Sequence, residues 1–82
     1  MAFIYDLTKT KSGELVVLKE INGLEVKTHK RLVELGFVSG VKIKVIKINK
    51  QAKLVLIGLR GFTLSMDFLI ASKIFVYGEN NG

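Results

Sequence analysis

With 82 residues, a net charge of +6, 49% hydrophobic residues and no cysteine, the chain has room for one domain over residues 1–82 and a dense core, with neither disulfides nor thiolate metal ligands to hold it. The longest uninterrupted apolar run, residues 54–59, falls far short of the roughly 20 that a spanning helix needs. The start, Met1-Ala2-Phe3-Ile4-Tyr5-Asp6, lacks the basic region and apolar core of a secretory signal, so a cytoplasmic location is expected.

Without proline, glycine and asparagine punctuate the chain. A turn at Lys11-Ser12-Gly13 leads into a strand over residues 14–20, whose centre Leu15-Val16-Val17-Leu18 is short and β-branched. Residues 22–36 carry the helix signature. Asn22 stands as N-cap with Glu25 three residues later as in a capping box, and Leu24, Thr28, Leu32 and Leu35 form one stripe. Gly36 supplies the left-handed C′ position, and Phe37 folds back on the last turn.

From Val41 the hydrophobic period becomes two, with Ile43 and Val45 alternating against Lys42 and Lys44. Ile46 then follows Val45 directly, and this one-residue slip predicts a β-bulge or sharp bend. Asn49-Lys50-Gln51 is a hairpin tip, residues 53–59 a strand, Arg60-Gly61 a turn and residues 62–66 the next strand. Asp67 caps a single helical turn, residues 73–77 form the closing strand and residues 78–82 a frayed tail. The sum is a mainly β chain: a small, bent SH3-like barrel of five or six strands, one inserted α-helix and a short helical turn before the last strand.

Charge is concentrated in one segment. Residues 35–66 contain no Asp or Glu, yet hold Lys42, Lys44, Lys47, Lys50, Lys53 and Arg60. Two readings stand. The lysines either keep a solvated strand face soluble or form a binding surface for an acidic partner, nucleic acid or lipid headgroups.

Catalytic and metal chemistry find little to build on. His29 is the single histidine, flanked by cations and read as an exposed helix residue, and no cysteine joins it as a metal ligand. No base is placed to activate a serine or threonine, and seven scattered acids do not make a catalytic pair. The sequence has no phosphate-binding P-loop, and no cofactor or enzymatic activity is expected. Single-strand binders interleave cations with stacking rings, but no aromatic residue lies between Phe37 and Phe62.

The stretch Arg31-Leu32-Val33-Glu34-Leu35-Gly36-Phe37-Val38-Ser39-Gly40 resembles the signature of the FeoA family, Arg-Leu-x-Glu-Leu-Gly followed four residues later by a second glycine. Gly61-Phe62-Thr63-Leu64-Ser65-Met66, then Ala71, Ile74 and Val76, match the family's spacing downstream, so the resemblance covers almost the whole chain. In physical terms the motif is structural: Leu32 and Leu35 seal the helix onto the barrel, Gly36 permits φ > 0, and Gly40 permits a tight turn. Two positions depart from the family: Ser39 where Pro is common, and Asp67 where Arg is common. The resemblance implies a cytosolic, non-enzymatic accessory of ferrous-iron uptake, a monomer or weak homo-oligomer, that acts on the membrane transporter FeoB. The resemblance also extends to a similar barrel that ends iron-dependent repressors, so the alternative is a basic barrel that binds nucleic acid or serves as an accessory domain of a metal regulator. On the first reading, Lys42, Lys44, Lys47, Lys50 and Lys53 are the candidate partner-binding residues.

Overall fold

The computed structural model describes residues 2–79. Six strands join in a single antiparallel sheet: β1 (Ala2–Asp6), β2 (Leu15–Ile21), β3 (Lys42–Asn49), β4 (Leu54–Leu59), β5 (Phe62–Asp67) and β6 (Ile74–Glu79), in the order β1-β6-β2-β3-β4-β5. Helix α1 (Val26–Glu34) is inserted between β2 and β3, and the short helix α2 (Phe68–Ala71) between β5 and β6.

On β3 the alternation read from the sequence sets which face is inside, and the neighbouring strands line the same core. Ile43 and Val45 of β3, Val55, Ile57 and Leu59 of β4, Val16 and Leu18 of β2, and Ile74 and Val76 of β6 are all buried, while Lys42 and Lys44 between them are exposed. The slip at Ile46 is a bulge. Val45 pairs with Ile57 and Lys47 with Leu56, leaving Ile46 without an opposite residue. A second irregularity lies between Leu18 and Glu20, where β2 pairs with β6. Bulges of this kind increase local twist and let a sheet bend round its own core.

The N-terminus contributes more than the sequence pattern indicated. β1 pairs with β6 along its whole length, and the 3-10 turn Leu7–Lys9 that follows plugs the fully buried Leu7 into the core. Burying such a side chain stabilises by about 1.5–3 kcal/mol relative to exposure. Period-two patterning could not flag β1, because Phe3 and Ile4 are both largely exposed on an edge strand. Nor is the end of the chain frayed where expected: Gly78 and Glu79 belong to β6, and residues 80–82 of the expected tail lie outside the described residues.

Helix α1 also begins later than its sequence signature placed it. The N-cap is Glu25, which makes no side-chain capping bond. The Asn22 backbone N–H instead donates to the Lys73 carbonyl at 2.9 Å, and Gly23 takes φ 94°, so the chain bends at Gly23 before the helix starts. A long-range hydrogen bond between strand ends has outcompeted a local cap. The C-terminal end is as expected: the Phe37 N–H donates to Leu32 O and the Gly36 N–H to Val33 O, both at 3.0 Å, the two bonds of a Schellman end. Leu32 and Phe37 are buried, but Leu35, expected to seal the helix, is 40% exposed. Within the described helix, Leu32 is the buried anchor.

Candidate docking surface

Cross-strand pairing arranges the lysines of the acid-free segment in rows on the outward face of the sheet. Lys42 is opposite Val17, which is opposite Tyr77, which is opposite Ile4. In the next row Leu15 faces Lys44, and Lys44 faces Gly58. Beyond the bulge Lys47 faces Leu56, and Asn49 faces Leu54. Lys42, Lys44 and Lys47 are therefore exposed among aliphatic side chains, and Ile4 (54%), Leu15 (59%) and Tyr77 (40%) are themselves well exposed. The bulge has a consequence for charge: the extra residue returns Lys47 to the side of Lys42 and Lys44.

Lys50 and Lys53 occupy the loop between β3 and β4 and are exposed, Lys53 with φ 56°. The Asn49 side chain holds that loop by accepting from the Ala52 N–H at 2.9 Å. Among the described residues the one ion pair is Lys19 with Glu20, so none of these lysines is neutralised by an acid. The structure thus places Lys42, Lys44 and Lys47 together on the sheet and Lys50 and Lys53 beyond its end. Sequence reasoning missed Ile4, Leu15 and Tyr77, which share that outward face. Their signal is apolar side chains in register with lysines, visible only once β1, β6 and β2 are paired.

The family-motif residues have mostly structural surroundings. Gly36 has φ 109°, which demands glycine, whereas a Cβ there would lie 2.9 Å from Cδ of the exposed Arg60 side chain, which can swing aside. Gly40 has φ 92°, and its N–H donates to Leu18 O at 2.8 Å, tying the turn after α1 to β2. Arg60 (φ 49°) and Gly61 (φ 89°) form the two-residue type I′ connection between β4 and β5. Ala71 is fully buried where α2 packs against the 3-10 turn. Arg31 and Glu34 are exposed and line a shallow polar depression on α1. Asp67 caps α2, accepting from the Ile70 N–H at 2.9 Å.

His29 is half-buried rather than fully exposed, beside Val33 and Val38 in a groove between α1 and β2. Among the described residues no three His, Cys, Asp or Glu side chains gather as a metal site would require. The Tyr5 hydroxyl donates to Glu14 Oε2, and burial first, then that hydrogen bond and the carboxylate's charge, push the phenol from 10.0 up to about 12. No helix of the described residues is long and apolar enough to cross a membrane.

Comparison with protein families matches the FeoA domain over residues 5–77. None of the curated protein sequences matches the chain. Among solved structures, a crystal structure of an iron uptake regulatory protein (FeoA) is similar over 90% of this chain and 94% of its own, with TM-score 0.76 and 18% identity. The solution structure of FeoA from Chlorobium tepidum is similar over 94% of this chain and 72% of its own, with TM-score 0.81 and 25% identity. A manganese-dependent transcriptional repressor shares the fold over 96% of this chain and 44% of its own, with TM-score 0.84 and 13% identity.

Proposed function

From the premise that this chain belongs to the FeoA domain family, we propose that it is a cytoplasmic, non-enzymatic accessory of ferrous-iron uptake that docks on the cytosolic part of a FeoB-type membrane transporter. The docking face is the outward surface of β3 with its loop to β4: Lys42, Lys44, Lys47, Lys50 and Lys53. The observation that carries this reading is that Lys42, Lys44 and Lys47 share one face, unpaired among the described residues and surrounded by exposed aliphatic side chains. A cationic face over an apolar floor suits an acidic protein patch. The charges steer encounter and select orientation, while the apolar side chains supply contact area.

The regulator reading rests on fold likeness to the repressor at 13% identity, and fold alone does not carry function. Stacking of single-stranded nucleic acid needs several rings, whereas β3, β4 and their loop carry no aromatic residue and Tyr77 is the one ring in the cross-strand row of Lys42.

The test is association of the protein with the isolated cytosolic part of its own FeoB. Lys42→Glu with Lys44→Glu leaves the thermal melt nearly unchanged, because both side chains are exposed. It slows association roughly tenfold or more at low ionic strength and flattens the salt dependence of the rate. Equal association rates for the variant and the parent at low salt would show that the lysines only solubilise the strand. Docking would then have to use an apolar surface, either Val26, Val33, Leu35 and Val38 on and after α1 or the exposed Ile4, Leu15 and Tyr77 of the sheet.

A further inference from the structure

A cleft of about 540 Å³ separates residues 10–12 from residues 47–51, at the end of the sheet beyond the β3 bulge. Three of its walls are cationic: Lys11 from the turn before β2, Lys47 from β3, and Lys50 from the loop to β4. Lys11 lies far from the other two in sequence and outside the acid-free segment, so only the fold brings the three together.

The turn is fastened to β3 rather than merely resting near it. The Gly13 N–H donates to Val45 O at 2.7 Å, the Val45 N–H to Glu14 O at 2.8 Å, and the Ile48 N–H to Ser12 Oγ at 3.1 Å. Ser12 therefore faces the cleft with its oxygen already accepting a bond, while its own O–H donates to no described residue. The Asn49 carbonyl oxygen is likewise engaged, by the Ala52 N–H, which leaves the amide NH₂ free to donate.

The acid nearest in sequence is turned away. Glu14 accepts from the Lys11 backbone N–H through one carboxylate oxygen and from the Tyr5 hydroxyl through the other, and does not line the cleft. The lining is thus acid-free, with three lysines, the amides of Asn49 and Gln51, and the hydroxyls of Ser12 and Thr10, the latter already donating to Leu7 O. Three positive charges with no acid complement a tetrahedral oxyanion and disfavour a cation.

We propose that this cleft binds a phosphate group, through Lys11, Lys47 and Lys50 with the Ser12 hydroxyl as the orienting donor. The phosphate is either that of an anionic lipid headgroup or that of a small soluble phosphate compound, since the same donors meet the same oxyanion in both. The proposal stands apart from docking on a transporter, because every probe is applied to the isolated protein.

Amide chemical shifts of the labelled protein are followed during titration with inorganic phosphate at constant ionic strength, with chloride as the control. In a second arm the protein is sedimented with phosphatidylglycerol vesicles and with phosphatidylcholine vesicles. The expected result is saturable shifts at Ser12, Ile48 and Lys50 with phosphate and not with chloride. Lys47→Gln and Lys50→Gln each weaken binding roughly fivefold in the vesicle arm, whereas Lys42→Gln with Lys44→Gln, which removes twice the charge of either, leaves the Ser12 and Ile48 shifts in place. Ser12→Ala, checked by its melt because the Ile48 N–H loses its acceptor, weakens phosphate binding while Ser12→Thr restores it. Selective sedimentation with phosphatidylglycerol that is lost in the cleft variants supports the lipid source. Saturable phosphate shifts without sedimentation support the soluble one. Shifts equal in chloride and phosphate, or unaltered by Lys47→Gln and Lys50→Gln, would overturn the proposal.

Discussion

Gly36 carries a conformational demand, to which the outer part of the exposed Arg60 side chain adds a close but movable neighbour. Its φ of 109° strains any L side chain, and the ideal Cβ position is 2.9 Å from Arg60 Cδ and 3.7 Å from Leu59 Cδ2. Gly36→Val is therefore expected to destabilise the fold by at least about 1 kcal/mol, through the left-handed backbone, with the displacement of Arg60 in addition. Urea or thermal melts check this, and coincident curves for variant and parent would refute the Schellman end. Tyr5 gives a second residue-scale prediction. The unfolded phenol ionises near 10.0 and the folded one near about 12. The native state thus keeps its proton across a window in which the unfolded chain loses it. The associated stability is fully present below pH 10 and is lost as pH rises toward 12. The stability gap between the parent and Tyr5→Phe should narrow over that window, and a constant gap would show that Tyr5 does not titrate there. Gly78 completes the arrangement, since a Cβ at that position would overlap the Tyr5 hydroxyl. The alternation pattern of β6 carries no trace of that requirement, because the obstructing group comes from β1.

At the scale of elements, the two helices contrast in their caps. The Asp67 side chain accepts from the Ile70 N–H, whereas the Glu25 side chain caps nothing although its φ −56° and ψ 144° suit an N-cap. Glu25→Asp keeps the negative charge at the helix start while shortening the side chain enough to reach the free N–H groups. It should stabilise the protein by about 0.5–1 kcal/mol. Asp67→Ala should cost about 1 kcal/mol by removing the cap of α2. Melts of the two variants should move in opposite directions, and a shift of the same sign in both would contradict these assignments. The bond from the Ile70 N–H to its carboxylate gives Asp67 the role of a cap in this chain. The bulge at Ile46 was legible as a break of phase, because a buried strand face tolerates no one-residue slip without one. The start of α1 was not: Asn22 and Glu25 have the spacing of a capping box, but the Asn22 backbone is held by Lys73 across the sheet.

For the whole molecule, charge and donor inventory bear on iron. A net charge of +6, one histidine, no cysteine and no cluster of three ligating side chains among the described residues disfavour a divalent cation. The isolated protein is expected to bind no ferrous iron stoichiometrically at micromolar concentration. Anaerobic calorimetry checks this, and a one-to-one micromolar isotherm would refute it. An accessory to iron uptake can lack such a site, since its proposed task is to engage the transporter.

The sequence by itself determined the mainly β class, the approximate positions of β2 to β6, the phase of β3 and its slip, the glycine end of α1, the Asp67 cap and the segregation of charge. Each of these is local, written in a periodicity of two, in a left-handed glycine or in the absence of acids from one segment. Tertiary structure alone decided the rest. It made residues 2–6 an edge strand and sank Leu7 into the core, because β6 supplies their partners from the other end of the chain. It left Leu35 exposed, because α1 meets the sheet chiefly through Leu32. And it carried Lys11 to Lys47 and Lys50, because the turn before β2 is hydrogen-bonded to β3 across a sequence separation that no periodicity spans.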